Sequence, residues 1–146
     1  MDERIKEHLK HLHRYLLLLE DARKIPFEKF QKDLISRGSA ERYLHLAIES
    51  CLNIGNRLLA VSQLEKPVKP PETYADIFKE LYHLGVLEDW GFMERLMQMA
   101  KFRNRLVHLY WELDEHAVYE ILQKHLTDLH LFKQTVVDYM NHRGEN

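Results

Sequence analysis

The chain is short of cysteine, glycine and proline, with one, five and four of them, and it has no apolar run longer than the "YLLLL" of residues 15–19. A lone cysteine closes no internal disulfide and builds no cysteine zinc site. Cys51 lies among Ala47, Ile48 and Leu52 and reads as a small buried hydrophobe. Few glycines and prolines argue against a turn-rich β architecture and favour long helices. Five apolar residues are too few to cross a bilayer, and the opening "MDERIKEHLK" is charged, without a signal-peptide core. A soluble, cytoplasmic protein with no membrane partner is expected. Charge of one sign is lacking too: 21 Lys and Arg stand against 23 Asp and Glu, a net −2. No global field drives such a chain onto nucleic acid, so any RNA contact has to be local. There is no glycine-rich phosphate loop, no His-Glu-x-x-His helix and no nucleophile elbow. These absences argue against P-loop hydrolysis, zinc proteolysis and esterase chemistry.

What is present is helical. The 146 residues, 45% apolar and 30% charged, fit a single domain spanning 1–146 with a real core. Ile5, Leu9, Leu12, Leu16 and Leu19 recur at helical spacing, so residues 2–24 read as an amphipathic helix stopped by Pro26. "FEKFQKDL" is a short helical piece. Gly38-Ser39 reads as a break, with Ser39 capping a second long helix over 40–65. Its inward stripe includes Gly55, which points to a close-packed neighbour. After the loop "KPVKPPET", Thr73 caps a helix over 74–84 and Gly85 closes it. Asp89 caps a helix over 90–110, and Asp114 caps the last, over 115–142. The expected fold is all-α, an up-down bundle of four to five helices. A helix of about 25 residues spans roughly 37 Å, longer than a compact core of this size. Apolar surface should remain for a partner, and a symmetric homodimer supplies one most simply.

Several polar groups have structural explanations. His8, His11 and His13 cluster on the first helix, yet no cysteine or carboxylate completes a tetrahedral set there. No metal and no cofactor are expected. His125 and His130 read as flank positions without an evident partner. Glu88-Asp89 and Asp114-Glu115 stand at helix starts, where the macrodipole accounts for them.

Residues 102–110, "FRNRLVHLY", are different. Asn104 and His108 are four apart and share a helix face. Arg103 lies roughly 140° round the axis from His108, within reach of a long side chain. A guanidinium fork suits a phosphate, an imidazole exchanges a proton near neutral pH, and an amide orients either. Those are the parts of metal-independent RNA cleavage. A base takes the 2′-OH proton, a cation stabilises the phosphorane, and an acid protonates the leaving 5′-oxygen. One histidine does not easily serve as base and acid together; a two-fold axis near this helix end brings a second His108 opposite the first. The residues alone leave a blander reading open, a helix C-terminus whose Arg, His and Tyr satisfy exposed carbonyls. Lys101, Arg103 and Arg105 make only a local basic cluster, which favours a third possibility, a non-catalytic module that binds a nucleotide or a protein partner.

The stretch "RNRLVHLY" resembles the Arg-x4-His-x-Tyr signature of HepT-like toxins, a branch of the HEPN family. The likeness covers nearly the whole chain, including "AERYLHLAIE" and "MAKFRNRLVHLYWELD". The resemblance implies an all-α homodimer and a metal-independent endoribonuclease whose two motifs meet in a cleft at the dimer interface. Arg103 and His108 map onto the catalytic pair and Asn104 onto the polar residue that often follows the Arg. It further implies a toxin–antitoxin module in which an MntA-type nucleotidyltransferase antitoxin transfers AMP to the motif tyrosine, here Tyr110. An AMP group there would occupy the substrate-phosphate site and pair with Arg103.

Overall fold

The computed structural model describes residues 2–108 and 114–144. Seven helices are seen among them: α1 (Glu3–Ala22), α2 (Phe27–Lys32), α3 (Leu34–Ser62), α4 (Tyr74–Leu84), α5 (Trp90–His108), α6 (Glu115–Lys124) and α7 (Leu126–Gly144). The bundle is all-α, as its apolar spacing predicts, but with seven helices among the described residues rather than the expected four to five. The difference arises because α2 stands as a helix of its own and the last expected helix is divided at His125. Helix α3 is its axis and packs on α1, α2, α4, α5 and α7.

Helices α1, α3, α4, α5 and α6 start where a side chain takes orphan amides. Asp2 caps α1, accepting from Arg4 N at 3.0 Å and Ile5 N at 3.2 Å. The same carboxylate accepts from Arg57 of α3 at 2.9 Å. That guanidinium holds its pKa below the ordinary carboxylate value. The α1 stripe Ile5, Leu9, Leu12, Leu16 and Leu19 is buried, as is the α3 stripe from Leu44 through Leu59; α1 and α3 form the broadest contact of the bundle.

The break expected at Gly38-Ser39 does not occur. Asp33 caps α3 earlier, accepting from Ile35 N at 3.1 Å and Ser36 N at 3.3 Å, and the helix runs on for 29 residues. A helical glycine costs about 1 kcal/mol against alanine, less than is gained by burying Ala40, Leu44, Ala47 and Ile48 just beyond. Gly55 behaves as its place in the stripe predicts: a Cβ there would meet Ile77 Cγ2 of α4 at 2.5 Å and Leu81 Cδ1 at 3.1 Å. The missing side chain is what lets α4 lie on α3.

Helix α4 is locally encoded. Thr73 and Asp76 form a reciprocal capping box, and Gly85 ends the helix at φ 93°. Asp89 Oδ1 accepts from Gly91 N at 3.2 Å at the head of α5. Asp114 caps α6 as expected, accepting from His116 N at 2.9 Å. The helix expected over 115–142 is divided at His125, whose φ is −119°. Just beyond, Asp128 is buried and accepts from Arg95 Nε at 3.1 Å.

The flank histidines are tied in after all: His130 Nε2 lies 3.0 Å from Glu20 Oε1 of α1 and His125 Nδ1 lies 3.9 Å from Asp128. Tyr119 donates its hydroxyl to Ile25 O at 2.6 Å, and Arg23 and Gln123 donate to one another's carbonyls at 3.0 and 2.7 Å. These bonds fasten α6 to the end of α1. In the His8–His13 cluster, His11 pairs with Glu7 at 3.4 Å and His13 with Lys133 at 2.9 Å. Among the described residues, no three metal-ligating side chains gather, and no helix is long and apolar enough to cross a membrane.

Candidate functional site

The polar segment is the last two turns of α5. Phe92, Leu96, Met99 and Phe102 anchor that helix in the core, while residues 103–108 run out of it. Asn104 and His108 share a face, as their spacing predicts, and line one cleft of about 550 Å³. The opposite wall is the end of the proline-rich loop and the start of α4: Pro71, Glu72, Thr73, Tyr74 and Ile77. Asn56 of α3 completes it. His108 is the final residue of α5 and is exposed.

Arg103 is placed differently. Its side chain is only 11% exposed. The guanidinium lies 4.9 Å from the centre of the Tyr74 ring, the same ring that walls the cleft. One terminal nitrogen donates to Asn104 Oδ1 at 3.3 Å and the other lies 3.7 Å from Glu49 Oε1. The third nitrogen, Nε, is buried without a hydrogen-bond partner among the described residues. Among the described residues no hydrogen bond or ion pair joins Arg103 to His108. Within one chain, Asn104 links them: it bonds Arg103 and shares the cleft with His108.

Glu49, His45, Tyr74 and Asn56 escaped the sequence reading. Glu49 Oε2 lies 3.0 Å from His45 Nε2, so one carboxylate stands between His45 and Arg103. Burial holds the His45 pKa below its ordinary value against the pull of Glu49, and the Arg103 and Arg42 charges depress it further. His45 opens onto a second cleft of about 290 Å³, with Leu106 and Val107, beside the same helix end. The His45–Glu49 spacing, one helical turn in "HLAIE", is a legible pairing signal. Tyr74 gave none, because its role comes from where α4 lands. Tyr110 lies outside the described residues. Cys51 is fully buried, and burial pushes its thiol pKa up, which removes it as a nucleophile.

Compared by sequence with curated proteins, the chain matches none. Its fold matches several solved structures. One is a tri-AMPylated Shewanella oneidensis HEPN toxin in complex with an MNT antitoxin: TM-score 0.83, 23% identity, 94% of this chain and 99% of that one covered. A toxin–antitoxin crystal structure with AMP-PNP gives 0.83, 22%, 94% and 99%. YutE from Bacillus subtilis, described as a cytosolic protein of unknown function, gives 0.82, 22%, 97% and 91%. At these identities the likeness is one of fold. In sequence, residues 5–136 match the family model described as "Ribonuclease HepT-like". A match over that much of the chain, on the all-α bundle that carries the Arg103–His108 segment, shows that the chain belongs to the HepT-like ribonuclease family.

Proposed function

We propose that this protein is the toxin of a toxin–antitoxin pair and cleaves RNA without a metal ion at the Arg103–His108 segment. The observation that carries the reading is the cleft at the end of α5. An exposed imidazole and an amide line it, and a guanidinium stacks on one of its walls. His108 takes or gives the proton at the ribose and the leaving oxygen. Arg103 offsets the charge that builds on the phosphorus, and Asn104 orients the two. A second His108 supplies the opposite half of the acid–base pair, from a homodimer built across the α5 ends. Val107, 38% exposed beside His108, suits such a contact. Sedimentation giving a strict monomer that still cuts would remove the dimer from the scheme.

The expected products carry 2′,3′-cyclic phosphate ends, formed equally well in excess EDTA. Incubating the purified chain with single-stranded RNA and analysing the ends by mass spectrometry tests this; cutting that EDTA stops would contradict it.

The antitoxin in this reading is a nucleotidyltransferase of MNT type, as in the Shewanella neighbour. The Tyr110 hydroxyl attacks the α-phosphorus of ATP, gaining AMP and releasing pyrophosphate. Two residues beyond His108 in sequence, the adduct would add a bulky anion beside the motif and hinder RNA binding there. Intact-mass analysis after incubation with such a partner and ATP should show added AMP in the native chain and none in Tyr110→Phe; equal labelling of both would move the modification elsewhere.

A second reading has one observation in its favour. Arg103 is mostly buried and two of its donors already face protein oxygens, as suits a structural cation in a nucleotide- or partner-binding module. Absence of any RNA cutting by the free protein would decide for it.

A further inference from the structure

We infer that the cleft beside His108 is a nucleobase subsite. It would take one unpaired base of a single-stranded RNA next to the bond being cut, with Tyr74 as the stacking surface. The assignment rests on the ribonuclease reading for its choice of ligand. Tyr74 is the first residue of α4 and is 50% exposed, although it stands in the wall of a cleft. The Arg103 guanidinium covers one side of its ring at 4.9 Å. The ring is therefore held from one side by a cation, is half exposed, and belongs to the cleft lining.

The volume, about 550 Å³, falls within the roughly 300–1,000 Å³ of small-molecule sites. The lining says which part of a nucleotide enters. Two amides, Asn56 and Asn104, offer the paired donors and acceptors that base edges require. Ile77, nearly buried, makes an apolar floor. Among the described residues the lining contains one carboxylate, Glu72, and neither lysine nor arginine. A phosphate is disfavoured in such a place, whereas a carboxylate accepts hydrogen bonds from base N–H groups. The base goes in, and the phosphate stays at the mouth where His108 is exposed. A paired base could not enter, so duplex RNA is excluded by geometry.

The test measures binding apart from cutting. The probe is a short fluorescent single-stranded RNA, 2′-O-methylated so that it cannot be cleaved, titrated with the full chain by anisotropy. Loss of one stacked base weakens binding about tenfold or more. That loss is expected for Tyr74→Ala, for Asn56→Trp, which fills the cleft from an exposed position on α3, and for the native chain offered an abasic version of the probe. Tyr74→Phe keeps the ring and should restore binding lost in Tyr74→Ala. The same sequence as a duplex should bind more weakly than the single strand. Binding indifferent to the abasic change overturns the subsite even if Tyr74→Ala misfolds, and so does failure of the native chain to bind the probe. Unmodified RNA is assayed for cutting in parallel. Cutting without base-dependent binding sinks the subsite and leaves the ribonuclease. Base-dependent binding without cutting sinks the ribonuclease and leaves the subsite.

Discussion

His108→Ala is expected to abolish the proposed RNA cleavage while leaving the protein folded. Acid–base groups typically contribute about 10²–10⁴-fold to rate, so residual cutting should fall below the detection limit of most gel assays. The fold survives because His108 is an exposed helix-terminal residue, and substitutions at such places usually change stability by about 0.5 kcal/mol or less. Arg103 offers a sharper comparison. Arg103→Lys keeps a positive charge but replaces the planar fork and its stacking on Tyr74 with a point charge. The loss of cutting should approach that of His108→Ala, with some loss of stability as well, because this side chain is mostly buried. Melting temperature and initial rate measured on the same preparations separate the two effects. Full activity in either variant would strip that residue of its assigned role.

The largest effect on stability is expected from Phe132→Ala. The side chain is fully buried in α7 and meets Phe78 of α4 edge to face, with 5.6 Å between ring centres. Truncating a core phenylalanine costs about 3–5 kcal/mol through lost burial and the cavity left behind. The edge-to-face contact, worth about 0.5–1.5 kcal/mol beyond area, disappears with it. A domain of this kind is stable by only about 5–15 kcal/mol, so the denaturation midpoint should drop steeply. Leu131→Ala, at a neighbouring position that is 47% exposed, provides the contrast and should scarcely move it. Comparable losses in the two variants would mean that α7 does not pack as described.

Much of this structure was legible in the residues. The caps at Thr73, Asp89 and Asp114, the closing Gly85 and the buried stripes all follow local rules that involve only neighbours in sequence. The misreadings came where two local signals competed or a distant partner decided. Gly38-Ser39 looks like a stop only if Asp33 is overlooked as an earlier cap. The division at His125 lies beside an aspartate bound to Arg95, 33 residues away in sequence. The functional segment shows the same split. That Asn104 and His108 share a face follows from helical periodicity. That Arg103 turns to Glu49 and Tyr74 depends on how α3 and α4 lie against α5, which no spacing reports.

The loop over residues 66–72 has a consequence for how such proteins diversify. It supplies part of one bank of the cleft, yet the helix after it is secured by its own capping box and left-handed glycine, and by the notch at Gly55. The loop's composition is therefore nearly decoupled from the bundle's integrity. Replacing Pro71 or Glu72 would alter what the groove accepts without asking α3 or α5 to adjust, so on the proposed ribonuclease reading new RNA preferences can arise there while Asn104 and His108 on the facing bank stay as they are.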